Sequence, residues 1–216
     1  MSYNKIITNE GIKVLTKLTY LNLISGTYQS HKITDEGIKN LTNLTSLNLS
    51  GGNNITDDAI KGLTNLTSLN LNYNCKITSY GIKNLINISF LSLSHNTMIT
   101  DITLLTNLTS LILFNNDKIG DKGIKELTNL KSLDLNYNDK ITNEAIRKLT
   151  NLTSLHLSNN HTIKDEGIKE LTNLTSLNLS YNNAITDEGL KNLINPTSIN
   201  LNNNIITNKN IIQNKI

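Results

Sequence analysis

The 216-residue chain carries 20 basic and 17 acidic side chains, a formal charge of +3, with one Pro, one Cys and no Trp. That balance excludes a basic arm or an acidic tail; the lone Cys75 excludes an intramolecular disulfide framework and a multi-cysteine zinc site; no apolar run nears the roughly 18 residues of a membrane span. Against three Ala and one Arg stand 38 Asn, 35 Leu, 29 Ile and 26 Thr, enough aliphatic side chain to exclude disorder by composition.

Met1 to Thr8 lacks the apolar core of a signal peptide, so a reducing, cytoplasmic setting is the expectation. Ile7 to Leu15 reads as a helical half-unit, residues 1–17, that covers the first strand. From there the pattern Leu-x-x-Leu-x-Leu recurs with first positions at Leu18, Leu44, Leu66, Ile88, Leu108, Leu130, Leu152, Leu174 and Pro196. The steps are 26, 22, 22, 20, 22, 22, 22 and 22 residues. Residues 1–216 are therefore one array, with repeats over 18–203 and a C-terminal half-unit over 204–216.

In the unit from Leu66 to Asn87, Ser68 to Asn72 alternates polar residues with Leu, the period of a strand that turns Leu69 and Leu71 inward. Asn74 then begins a column with Asn96, Asn116, Asn138, Asn160, Asn182 and Asn204, where an amide can pair turn groups that would otherwise be buried alone. The segment Lys32 to Leu41 places Ile33, Ile38 and Leu41 toward the core. It opens a short helix at Thr34, a competent N-cap, with Asp35 and Glu36 favoured at the positive helix end. The fold class is thus α/β: a right-handed solenoid, or horseshoe, with a parallel concave sheet of about nine strands and short convex helices. No unit buries its apolar face alone, so stability accumulates by stacking.

Two places depart from the pattern. The unit from Ile88 to Asn107 is two residues short and lacks the Glu-Gly step, which predicts a tighter turn in place of a helix. At the C-terminus, Ile199 and Leu201 form the last strand, and Ile205, Ile206, Ile211 and Ile212 have no following unit. Pro196 and Lys209 blunt that edge only in part. Self-association end to end through the C-terminal unit, docking of a partner, and a cap formed by residues 207 to 216 are the three expectations.

Leu-Thr-Ser-Leu-Asn-Leu followed by Ile-Thr-Asp-Glu-Gly-Ile or Leu resembles the leucine-rich repeat family, in particular its cysteine-containing class found in F-box and related ubiquitin-ligase adaptors. The resemblance covers nearly the whole chain. The turn Cys of that class is Asn here, and Cys75 falls one place later, which makes it an incidental surface thiol. With no F-box segment read ahead of the array, the adaptor role is not expected to carry over. The Asn, Ile and Lys bias with near-identical units resembles repeat proteins of AT-rich genomes, such as giant viruses of amoebae and amoeba-associated bacteria. The short unit Ile99 to Leu108 is similar to a bacterial internalin repeat. What the resemblance implies is a non-enzymatic protein-protein interaction module, in the cytoplasm of a host if the source is viral, with no cofactor. A passive structural or virion-associated array, or a substrate-recognition subunit of a ubiquitin-ligase-type complex, is the alternative.

Candidate binding residues come from alignment by rung. The middle outward column reads Asn22, Asn48, Asn70, Ser92, Ile112, Asp134, His156, Asn178 and Asn200, flanked mostly by Ser and Asn. Phe90, Ile112 and Phe114 break that pattern as exposed apolar residues. With strands about 4.8 Å apart, Phe90, Ile112, Phe114, Asp134 and His156 are expected to form a partner-binding patch about 15 Å long. Neutral drift in a duplicated array is the competing reading. Asn178, solvated on the same column, is expected to tolerate alanine. Asp134, His156 and the nearby Ser132, Ser154 and Ser158 share the composition of a nucleophilic triad. An open sheet, however, offers neither a strained Ser nor a water-excluding pocket, so we expect no catalytic residue. His31, His95 and His161 sit on different rungs with no thiolate partner, which argues against a metal site. Lys39, Lys61, Lys83, Lys125, Lys169 and Lys191 form a convex column interrupted by acids, so nucleic acid is not an expected partner. Tyr73, Tyr137 and Tyr181 share one post-strand place and are read as edge packing. The acceptor pattern at Asn43-Leu44-Thr45 belongs to the consensus.

Overall fold

The computed structural model describes residues 7–24, 32–52, 54–194 and 196–207. It contains two compact units, Met1–Leu108 and Thr109–Ile216. The first carries α1 (Asn9–Ile12), β1 (Tyr20–Asn22), α2 (Asp35–Ile38), β2 (Ser46–Asn48), α3 (Asp57–Ile60), β3 (Ser68–Asn70), α4 (Ser79–Ile82) and β4 (Phe90–Ser92). The second carries β5 (Ser110–Ile112), α5 (Asp121–Ile124), β6 (Ser132–Asp134), α6 (Asn143–Ile146), β7 (Ser154–His156), α7 (Asp165–Ile168), β8 (Ser176–Asn178), α8 (Asp187–Leu190) and β9 (Ser198–Asn200). Within each unit the described strands are parallel and pair in chain order. This is the α/β solenoid that the 22-residue period requires.

The register fixes the columns. Ser46 lies against Ser68, Leu47 against Leu69 and Asn48 against Asn70, and Ile112, Asp134, His156, Asn178 and Asn200 align in the second unit. Strands are three residues long where five were expected, because the chain turns away after the second inward Leu. That Leu still pairs: the Leu71 N–H donates to the Ser92 carbonyl at 2.9 Å. Inward Leu and Ile of the interior rungs, such as Leu69, Leu71, Ile77 and Ile82, are fully buried. Each helix is a single turn. Thr56, Thr78, Thr142 and Thr186 cap theirs through the side chain, as the sequence suggests, whereas Thr8 and Thr34 make no such bond. Between Asp101 and Leu105 there is a turn and no helix, closed by the Leu105 N–H on the Ile102 carbonyl at 3.0 Å. The missing two residues remove the helical turn.

Polar consensus residues tie each rung to the one before it. Asn138 accepts from the Lys140 and Ile141 N–H groups at 3.0 and 3.1 Å and donates to the Leu113 and Asn116 carbonyls at 3.3 and 2.6 Å. Asn96 and Asn182 repeat all four bonds, and Asn160 donates likewise to the Leu135 and Asn138 carbonyls. On the helix side, an Asp that opens one helix receives the N-cap of the next in four places. The Asp35 carboxylate takes the Thr56 N–H and hydroxyl at 2.8 and 2.6 Å, Asp57 takes those of Thr78, Asp121 those of Thr142, and Asp165 those of Thr186. A third series joins Asn65 to the Thr42 carbonyl, Asn87 to Thr64 and Asn151 to Thr128, each at 2.9 Å. Among the described residues no buried side-chain N or O lacks a partner, which is what burial of so many amides demands.

The residue before the ladder Asn adopts left-handed backbone: Tyr73, His95, Asn115, Tyr137, Asn159, Tyr181 and Asn203 have φ between 47° and 58°. Gly51 holds the same place with φ 91°. Asn tolerates this region, but Tyr does so only when its surroundings enforce it. Here the Tyr137 N–H, bonded to the Ser158 carbonyl at 2.9 Å, and the bonds of Asn138 enforce it from both sides. Gly81 and Gly189 face the other close approach, since a Cβ there would fall against the carboxylates of Asp57 and Asp165. Ala59 and Ala145 occupy equivalent places, so the neighbouring acid can give way.

Candidate functional site

The outward middle column has its own local bond. Asn22, Asn48, Asn70, Asn178 and Asn200 each accept, through Oδ1, the N–H two residues on, at 3.0 to 3.2 Å. This side chain therefore stabilises the turn that follows its strand. Ser92 departs differently: it is buried, and its hydroxyl donates to Asn72 Oδ1 at 2.6 Å. Ile112 can accept nothing, so on its rung an aliphatic side chain stands where six other rungs have a turn acceptor.

Phe114 packs against Tyr137 with ring centroids 5.3 Å apart and planes inclined by 58°, a favourable tilted arrangement. Asp134 keeps the consensus bond, accepting the Asn136 N–H at 2.9 Å. Its second oxygen lies 3.9 Å from His156 Nδ1, and the far side of that ring, Nε2, lies 3.5 Å from Ser154 Oγ. Burial pushes the Asp134 carboxyl above its ordinary value, against the opposing effects of the Asn136 N–H and the His156 charge. The order Ser154, His156, Asp134 imitates a triad. Both separations exceed the 2.6 to 3.2 Å or so that proton relay uses, and Ser154 lies on an open strand instead of a strained turn.

Four of the five candidate residues, Ile112, Phe114, Asp134 and His156, thus fall together on the strand face of the second unit, and Phe90 lies on β4 of the first. Phe90, Ile112 and Phe114 are half-buried where the sequence reading had them exposed. Rungs only about 4.8 Å apart leave no room for a large side chain to stand clear of its neighbours. Tyr137 was missed as a member of this group. Its signal is positional, because an aromatic one place further along the next rung reaches back over Phe114. In the first unit Tyr73 stacks on His95 at 4.4 Å with planes inclined by 13°.

On the helix side, three residues of the Lys column pair with acids. Lys39 bonds Glu36 at 2.7 Å, Lys61 bonds Asp58 at 2.6 Å and Lys191 lies 3.6 Å from Glu188. The Lys61 hydrogen bond also holds the Asp58 carboxyl below its ordinary value. Lys83 lies over the Tyr80 ring, 4.3 Å from its centroid. Beside it the short turn leaves a hollow of about 200 Å³ lined by Tyr80, Ile82, Ile102 and Leu104 among others. Cys75 is exposed, one place after the ladder residue Asn74. His95 and His161 occupy separate turns, and His31 lies outside the described residues. No described helix is long and apolar enough to cross a membrane.

The raised Asp134 value makes a pH-dependent prediction. A carboxyl that is harder to ionise when folded destabilises the native state wherever it is ionised, and stops doing so once pH falls below its unfolded value. Asp134→Asn, which installs the commonest residue of this column, should therefore raise Tm at pH 8 and lose that advantage by pH 3. A difference from wild type that stays constant between those pH values would contradict it.

Two models of leucine-rich repeats match the chain: one, describing two copies, at residues 42–86 and 150–192, the other at 105–127 and 126–150. No curated protein sequence matches significantly. Among solved structures, an internalin, inlF, from Listeria monocytogenes str. 4b F2365 is 30% identical with a TM-score of 0.72, over 96% of this chain and 60% of its own. An internalin C2 from the same strain is 26% identical with a TM-score of 0.59, over 93% of this chain and 84% of its own. TLR13, solved in a complex with the single-stranded RNA ssRNA13, is 27% identical with a TM-score of 0.66, over 94% of this chain and 31% of its own. The chain thus spans under two thirds of the internalin inlF and under one third of TLR13.

Proposed function

The chain belongs to the leucine-rich repeat family, and from that premise we propose that it is a non-enzymatic protein-protein interaction module whose contact surface includes Ile112, Phe114, Asp134 and His156. One observation carries this reading. On five other rungs an outward Asn stabilises its own turn, whereas Ile112, the Phe114 and Tyr137 pair, and Asp134, which holds its turn through one oxygen and has His156 3.9 Å from the other, put apolar area and a desolvated carboxylate on one face. Such a mixture suits a partner that supplies an apolar anchor and a basic group. Phe90 is the equivalent anchor on the strand face of the first unit. The pairing of helix-side cations supports a protein partner over nucleic acid, in spite of the RNA-bound likeness.

The finer assignments follow the sequence resemblance: a cytoplasmic protein of the cysteine-containing, adaptor-like class from an AT-rich genome such as a giant virus. Against the binding reading stands a passive structural array, which the rung-to-rung bonds alone would sustain. Capture experiments on extracts of the source cell separate the two, using wild type, Phe114→Ser and the remote Lys148→Ala. Binding at this face predicts proteins captured by wild type and Lys148→Ala and reduced about tenfold or more with Phe114→Ser. Equal capture by all three baits would favour the passive array.

A further inference from the structure

Independently of that face, we propose that the N-terminal edge of one copy stacks on the C-terminal edge of another, head to tail, continuing the parallel register of the array. The repeat itself supplies the argument. At each interior junction the first residues of a strand donate to the rung before, as the Thr197 and Ser198 N–H groups do to the Thr175 carbonyl at 2.8 and 3.0 Å. The strand's second inward Leu donates to the rung after, as the Leu179 N–H does to the Asn200 carbonyl at 2.8 Å. On β1 the corresponding outer groups are the Thr19 and Tyr20 N–H and the Asn22 carbonyl, and on β9 they are the Thr197 carbonyl and the Leu201 N–H. Donors on one edge therefore meet acceptors on the other. Extending the observed pairing of Ser176 with Ser198 sets Ser198 against Tyr20, Ile199 against Leu21 and Asn200 against Asn22 of the second copy.

The apolar faces agree. Leu15 is 48% exposed although Leu41, Leu63 and Leu85 at the same repeat place are fully buried, and Val14 beside it is 67% exposed. Ile7, Ile12, Leu15, Leu18 and Leu21 line a hollow of about 480 Å³ at this edge. At the other edge Ile199 and Leu201 are half-buried, whereas Leu177 and Leu179 one rung earlier are buried. Ile205, 52% exposed, is aliphatic at a place that Cys75, Thr97, Asp117, Asp139, His161 and Asn183 fill on earlier rungs. Two like edges meeting would reverse the strand direction and so could not keep this parallel register. Contact between unlike edges keeps it, as a heterologous interface. Ile211 and Ile212 lie outside the described residues and take no part in the argument.

Sedimentation velocity tests this over a concentration series of the full chain. Wild type should show a sedimentation coefficient that rises with concentration. Val14→Lys/Leu15→Lys blocks one edge and Ile205→Lys the other, so each variant alone should stay monomeric while an equimolar mixture forms a one-to-one complex and nothing larger. Circular dichroism of each variant checks its fold, and the wild-type series stands whatever that check shows. Three results would overturn the proposal: wild type monomeric to about millimolar concentration, as a cap over residues 207 to 216 would give; either single-edge variant still self-associating; or a folded pair that does not combine.

Discussion

Replacing Asn138 by alanine is expected to destabilise the protein by about 3 to 5 kcal/mol, more than most core truncations of similar size. The side chain is buried and makes four hydrogen bonds, two to carbonyls of the preceding rung and two from N–H groups of its own turn. Alanine leaves all four backbone groups buried without those partners, at about 1 to 3 kcal/mol for each that water cannot reach. The left-handed Tyr137 loses half of what holds it. Asn138→Asp should not rescue, since a carboxylate keeps the acceptor, loses the donor and brings a buried charge. Urea midpoints check this: Asn138→Ala should fall far below wild type and Lys148→Ala should match it within about 0.5 kcal/mol. Equal midpoints for the two variants would contradict the ladder.

Leu133→Ala should cost about 2 to 5 kcal/mol, the range for deleting a fully buried Leu side chain in a core that relaxes only in part. Leu133 is buried at the centre of β6, in register with Leu111 on one side and Leu155 on the other. Because cavities in stacked rungs weaken both junctions, the loss should lie toward the upper end of that range. Asn178→Ala is the outward comparison. Its Oδ1 accepts from the Ser180 N–H at 3.0 Å and the Ser180 hydroxyl at 2.8 Å, so about 0.5 to 1.5 kcal/mol replaces the near-zero cost expected of a solvated residue. Matching losses for Leu133→Ala and Asn178→Ala would mean that the inward and outward columns are misassigned.

Why were the columns legible in the sequence and the partners of Asp35 not? Strand, helix start and inward face are local periodicities, and Leu69, Leu71, Thr78 and Ile82 declare them within a single 22-residue unit. The shortened turn at Asp101 to Leu105 was legible for the same reason, since a deleted helical step cannot be made up elsewhere in its own unit. Asp35 reads as a favourable charge at a helix start, yet its carboxylate bonds Thr56, 21 residues on, and only stacking reveals that. The left-handed place of Tyr73, Tyr137 and Tyr181 was hidden by residue type, because Tyr signals packing and Gly appears there only once, at Gly51. At the candidate site, rung alignment brought Ile112, Asp134 and His156 into one column, while half-burial and the Phe114 contact with Tyr137 depend on side-chain volume between neighbouring rungs.

Native-state hydrogen exchange measures most directly whether amide side chains hold the turns. The Ile77, Ile99, Ile119, Ile141, Ile163 and Ile185 N–H groups lie outside strands and helices and each donates to an Asn Oδ1, at 2.9 to 3.1 Å. If those bonds are as integral as the strand pairing, these six amides should exchange within about tenfold of the Leu113 and Leu135 amides, opening only when rungs separate. Exchange at the rate of exposed turn amides, with the strands still protected, would show that the ladder does not hold the array together.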